Sequence, residues 1–204
     1  MKKLLFVFIS ALSMISLYGQ EQGNIRGGFN LGLGLPSKGA GITGDVDMRY
    51  NVKSNINVGV KLGFAVLAKE VTEREAFAAV MTHKLIISDY YFNKTGESMF
   101  TYFVGGGLGT YKVANISFDT SVSSSTSKPL YVNTIGGMVR GGFEYGHFRM
   151  SLEYYLIPPT NVYDINYKYK GEANNNFLNA TLGFYFGGGH WKKSSKMTET
   201  FILF

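Results

Sequence analysis

From residue 25 onward the chain repeats one pattern, strict alternation of apolar with polar or glycine positions. Ile25, Phe29, Leu31, Leu33 and Leu35 share one parity, and Arg26, Asn30, Gly32 and Gly34 the other. Ile42, Val46, Met48, Tyr50 and Val52 then oppose Thr43, Asp45, Asp47, Arg49 and Asn51. Ile56, Val58, Val60, Leu62, Phe64 and Val66 oppose Asn57, Gly59, Lys61 and Gly63. A period of two belongs to strands whose faces meet different surroundings. A fourth strand is expected over residues 82–92. There Leu85, Ile86 and Ile87 are adjacent, so its phase stays open and a bulge fits the pattern.

Four further segments complete the set. Phe100, Tyr102, Val104 and Leu108 alternate with Gly105, Gly107 and Gly109, and Ile135, Val139 and Phe143 lie opposite Arg140 and Glu144. Phe148, Met150, Leu152, Tyr154 and Leu156 lie opposite Arg149, Ser151 and Glu153. Leu178, Leu182, Phe184 and Phe186 lie opposite Asn179, Thr181, Gly183 and Tyr185. The pattern therefore predicts eight strands.

Connector lengths alternate as well. Short turns are expected near Lys53-Ser54, at Asn93 to Glu97 and at Gly146-His147, whereas residues 68–79, 121–127 and 158–176 form long connections. A short helix over residues 70–79 is one expectation for the first of these. Short turns on one side and long loops on the other match a transmembrane barrel. The fold class expected is all-β, an eight-stranded antiparallel transmembrane β-barrel. An even strand count puts both ends of the barrel on the short-turn, periplasmic side. Tyr50, Tyr102, Tyr154 and Trp191 suit an aromatic girdle at a membrane surface. The rival is a soluble barrel or sandwich with its apolar face inward. Glycine crowding the polar face, where a soluble exterior carries many lysines and glutamates, favours the membrane reading.

The start of the chain supports export. Lys2 and Lys3 precede an apolar run from Leu4 to Leu12, and a polar stretch begins at Gly19-Gln20, as in a secretory signal. The expected division is a signal peptide over 1–19, an outer-membrane β-barrel over 20–189 and a short periplasmic tail over 190–204. Loss of Lys2 and Lys3 lowers the formal net charge from +6 to about +4. No block of basic residues suggests nucleic acid, which export also argues against. There is no cysteine, which excludes disulfides, thiolate metal sites and a lipid-bearing cysteine.

The segments Tyr102 to Gly109, Arg140 to Glu144 and Leu182 to Gly189 resemble the outer-membrane β-barrel proteins of Bacteroidetes. These are similar in layout to the small OmpX- and OmpW-type barrels. The resemblance implies an outer-membrane location and architecture, and little about activity. Gln20-Glu21-Gln22 at the expected new N-terminus is similar to exported proteins of that group.

On this reading the interior receives Arg26, Asp45, Asp47, Arg49, Lys61, Arg140, Glu144, Arg149 and Glu153, five cations and four carboxylates. Eight strands enclose a space that side chains fill. Buried charges must pair, so a salt-bridged plug is expected in place of a conducting path. No cofactor or metal is called for: His83, His147 and His190 lack zinc-site spacing. The expected function is non-enzymatic, structural or partner-binding through the outer loops, where Tyr163, Tyr167 and Tyr169 offer a surface. Outer-membrane lipid is one expected partner, and a protein held through loops or the lipid-facing side another. Two alternatives stand beside it. A lipid A-modifying enzyme would rest on His83, expected near the outer end of the fourth strand. A narrow channel for small hydrophobic compounds would need an apolar upper interior, whereas the interior expected here is polar.

Overall fold

The computed structural model describes residues 22–72, 75–92, 100–118, 131–163 and 169–188. The expected signal peptide, the tail with Trp191, His190 and the turn over 93–97 lie outside them.

Ten strands form in chain order: β1 (Ile25–Pro36), β2 (Gly39–Lys53), β3 (Ile56–Thr72), β4 (Glu75–Tyr91), β5 (Phe100–Phe118), β6 (Val132–Tyr145), β7 (Phe148–Leu156), β8 (Thr160–Tyr163), β9 (Tyr169–Ala173) and β10 (Phe177–Gly187). Eight of them, β1 to β7 and β10, close into an antiparallel barrel through β1–β10 and β4–β5 pairing. The other two make a hairpin in the last outer loop, touching β5 through one parallel bridge from Ile116 to Tyr163. Closure removes every edge from the wall, so backbone groups are satisfied where no water is available.

The geometry follows from the register. Paired residues run around the wall from Thr110 through Lys84, Leu62, Val46, Phe29, Phe184, Phe148 and Tyr145, and return to β5 at Phe100. Each circuit is thus displaced by ten residues. With eight strands this stagger tilts them about 40° from the barrel axis, leaving an interior just wide enough for packed side chains.

Surfaces are inverted relative to a soluble protein. Leu31, Leu108 and Ile135 point outward at 65, 71 and 74% exposure, while Lys61 and Glu144 inside have none. Such a wall is at rest only in hydrocarbon. This rules out the soluble barrel. Tyr50, Phe92, Phe100, Tyr102, Tyr145 and Phe148 project from the lower end of the wall, where an aromatic girdle belongs. Tyr154 also faces outward, but lies six residues farther up β7 than Phe148, well above that girdle.

Local sequence explains the turns. Tyr145 and Phe148 pair across Gly146-His147, and Gly146 takes φ 56°, the left-handed geometry that a two-residue hairpin requires. On the outer side, β3 and β4 stay paired as far as Thr72 and Glu75. The helix expected over residues 70–79 is therefore absent, because the ladder continues through it. β4 itself is regular from Ala76 to Tyr91 against β5. Thr82, Lys84, Ile86, Ser88 and Tyr90 face out, and Met81, His83, Leu85, Ile87, Asp89 and Tyr91 face in. The adjacent Leu85, Ile86 and Ile87 reflect a strand that mixes polar and apolar residues on both faces, not a bulge.

Candidate functional site

Alternation sends one side chain in two into the lumen, and the strands bring ten charged groups together in its lower half. These are Arg26 on β1; Asp45, Asp47 and Arg49 on β2; Lys61 on β3; Asp89 on β4; Arg140 and Glu144 on β6; and Arg149 and Glu153 on β7. All are at most 8% exposed. Five cations face five carboxylates.

Ion pairs connect all ten. Arg26 Nη2 lies 2.6 Å from Glu144 Oε1, and Arg149 Nε reaches the same oxygen at 3.3 Å. Arg149 Nη2 meets Asp89 Oδ2 at 2.9 Å, and Arg49 Nη1 meets it at 3.2 Å. Arg49 also pairs with Asp47 at 2.6 Å. Arg140 donates to Asp89 from Nε and Nη2, then approaches Glu153 at 3.6 Å. Lys61 Nζ bridges Glu153 at 2.7 Å and Asp45 at 3.1 Å. Asn30 donates to both Asp45 and Asp47, tying the two acids of β2 together.

Neutral groups line the same layer. The Tyr91 hydroxyl donates to Glu144 and accepts from Arg149. The Arg26 guanidinium lies 3.9 Å from the Tyr185 ring centroid, and that of Arg149 lies 3.9 Å from the Phe103 centroid. Planar guanidiniums suit this packing, since they stack on rings while their edges bond carboxylates. Glycine makes room on the facing strand. A side chain at Gly105 would strike the Asp89 carboxylate, and one at Gly63 would press on the His83 ring.

Nine of these ten charges stand at positions read from the alternation. Asp89 is the addition, hidden because both faces of β4 mix polar with apolar residues and leave its phase unset. One signal pointed to it: five interior cations against four carboxylates left a buried positive charge without its counterion.

Above the charged layer the interior changes character. Ala65, Leu67, Ala79, Met81, Leu85, Ile87, Tyr111, Val113, Met138, Tyr155, Ile157 and Phe177 pack there as one buried apolar cluster. The polar lumen expected from the alternation is thus corrected to a polar floor beneath an apolar middle, because β3 and β4 turn aliphatic residues inward. His83 belongs to this middle layer, halfway along β4 and not near its outer end. Its ring lies 5.4 Å from that of Tyr155 and 5.9 Å from that of Tyr111. Neither ring nitrogen has a hydrogen-bond partner among the described residues.

A polar clasp links strands at the outer mouth. Asn175 Nδ2 donates to Thr160 Oγ1 at 2.8 Å and to the Pro158 carbonyl at 3.1 Å. Asn115 Nδ2 donates to the same Thr160 oxygen at 2.8 Å. Lys69 Nζ donates to the Asn174 carbonyl at 2.8 Å. Lys69 stands on the outer rim, opposite Gly39 of the first outer loop, where burial lowers its amine to about pH 8. The clasp ties the β8–β9 hairpin to β3 and β5. Tyr169 in that hairpin is 55% exposed. Tyr163 ends β8, and Tyr167 lies outside the described residues. The periplasmic turn holds His147, whose Nδ1 sits 2.9 Å from the Tyr185 carbonyl.

A closed wall, an apolar exterior and a lumen packed with a charged floor beneath an apolar middle define an eight-stranded outer-membrane β-barrel. Solved structures agree on the fold. Neisserial surface protein A superimposes with a TM-score of 0.53 at 12% identity, over 80% of this chain and 95% of that one. The N-terminal β-barrel domain of Pseudomonas aeruginosa OprF gives 0.50 at 12% identity, over 82% and 99%. No protein-family model matches the chain, and no curated protein matches its sequence.

Proposed function

We propose that this chain is a non-enzymatic outer-membrane barrel, a closed scaffold that holds its outer loops toward a partner. It is not a pore on this reading. The observation that carries the reading is the ion-pair network joining the ten charges of the lower lumen across the barrel. Moving an ion past it requires breaking buried pairs, each break costing about 3–5 kcal/mol. Kinship with the Bacteroidetes barrels and an OmpX- or OmpW-like layout belong to the same proposal, resting on the glycine-rich strand motifs.

The test is electrical. Reconstituted into planar bilayers, the folded chain is expected to give no stepwise conductance in molar salt. Stable open currents would overturn the closed reading. Partner binding is tested separately by affinity isolation from outer membranes in mild detergent, comparing the intact chain with a Tyr163, Tyr167 and Tyr169 triple alanine variant. A stoichiometric protein held by the first and lost by the second supports the loop surface. His83 supports the non-enzymatic part, since it faces Tyr111 and Tyr155 inside the wall and not a lipid substrate.

The apolar middle layer favours one second reading, a narrow route for small hydrophobic compounds entering at the outer mouth. Uptake of such a compound into liposomes, faster with the barrel than without it, would support that reading.

A further inference from the structure

The outward face of the wall holds one feature that hydrocarbon does not explain. Lys84 on β4 is paired with Thr110 on β5, and Thr82 with Lys112 two residues farther up. All four side chains point away from the lumen and are exposed. They form a checkerboard of two ammoniums and two hydroxyls on adjacent strands. Lys84 and Lys112 are diagonal neighbours, with backbones roughly 7–8 Å apart. Their flexible stems bring both charges within reach of one anion.

Height on the wall narrows the occupant. At a tilt of about 40°, each residue climbs about 2.5 Å along the barrel axis. Thr110 therefore stands about 25 Å above Phe100 in the lower girdle, Lys84 slightly lower than Thr110 and Lys112 slightly higher. An apolar band about 25 Å tall begins near that girdle, so the quartet straddles its outer edge. The neighbours below are apolar: Ile86 at 68% exposure and Leu108 at 71%. Among the described outward positions of the wall in this band, Lys84 and Lys112 are the charged ones, and no carboxylate accompanies them. A lysine there must snorkel to the headgroup level, where it meets the outer leaflet.

We propose that Lys84 and Lys112, with Thr82 and Thr110, bind the phosphate of a phosphorylated lipid headgroup in the outer leaflet. Two ammoniums supply the charge, and two hydroxyls supply further donors to the phosphate oxygens. The lipid's acyl chains then lie along Ile86, Leu108 and Leu62 below. A protein carboxylate or free phosphate offers no chains for that apolar surface, which is why the lipid is the favoured occupant.

The test is native mass spectrometry of the full chain, released from detergent micelles holding diphosphoryl lipid A or its dephosphorylated form. The wild type is expected to retain the phosphorylated lipid at least tenfold better than the dephosphorylated one. In the Lys84→Gln, Lys112→Gln double variant that preference is expected to fall to near unity. Heat-modifiable migration on gels reports whether the variant still folds. Should it fail, the Thr82→Val, Thr110→Val pair is used, with a loss of about threefold expected. Equal retention of the two lipids by the wild type would overturn the proposal. So would an unchanged preference in a folded lysine variant, or equal competition by inorganic phosphate at millimolar concentration.

Discussion

Arg140 grips Asp89 with two parallel hydrogen bonds, Nε to Oδ1 at 2.8 Å and Nη2 to Oδ2 at 2.9 Å, across the floor of the lumen. The same Asp89 also takes Arg149 at 2.9 Å and Arg49 at 3.2 Å. One carboxylate thus holds three guanidiniums, on β6, β7 and β2. A two-pronged contact fixes orientation as well as distance, which makes Asp89 the point where β2, β6 and β7 are joined to β4.

Replacing it exposes that role. Asp89→Asn keeps the shape but leaves three buried cations short of one counterion. A loss of about 3–5 kcal/mol is expected, read as a lower urea midpoint for the folded barrel in lipid vesicles. The double variant Asp89→Asn, Arg140→Leu should recover part of that loss, because it removes charge from both sides. A single variant as stable as wild type would mean that the network contributes nothing.

Glycine at the inner face is a separate requirement. The Cβ of Gly105→Ala would land on the Asp89 carboxylate and lie 2.5 Å from the Ser88 carbonyl. At Gly141, which faces out, the nearest atoms are 3.7 and 3.8 Å away, ordinary contact. Gly105→Ala should therefore slow or block folding into vesicles, whereas Gly141→Ala should fold as the parent does. Equal folding yields for the two variants would contradict the register described above.

Lys69 supplies a pH dependence. Its amine lies near pH 8 in the folded chain against an ordinary 10.5, through burial at the clasp. Between those values the unfolded chain holds the proton and the folded one does not. Stability of the outer mouth therefore rises with pH from about 8 to about 10.5 and is flat on either side. Nitrogen-15 NMR of the labelled amine should titrate with a midpoint near 8, and a midpoint above 10 would refute the buried environment.

The clasp is also testable without titration. Asn175→Ala removes the donor to Thr160 Oγ1 and the Pro158 carbonyl. Amide hydrogen exchange in residues 160–163 and 169–173 should quicken at least tenfold, while β1, β2 and β10 keep their protection. Uniform loosening of the whole barrel would show that the clasp is part of the global fold.

Much of this protein is written in its alternation. The outward aliphatic set, the eight wall strands and nine interior charges follow from parity, because a strand between lipid and a crowded lumen has two unlike faces. What parity lacks is any reference when each face mixes polar and apolar residues. On β4 the run Leu85-Ile86-Ile87 fits either phase, and only pairing with β3 and β5 turns Asp89 and His83 inward. The apolar middle layer stayed hidden for the same reason. The clasp, the Asp89 node and the lysine checkerboard on β4 and β5 join residues distant in sequence, so they exist only through register and closure. Alternation along the chain suffices for the kind of wall and for the sign of each face on every wall strand except β4. The tertiary structure decided which charges meet, since a ten-residue stagger, and not proximity along the chain, sets each side chain's neighbours across the barrel.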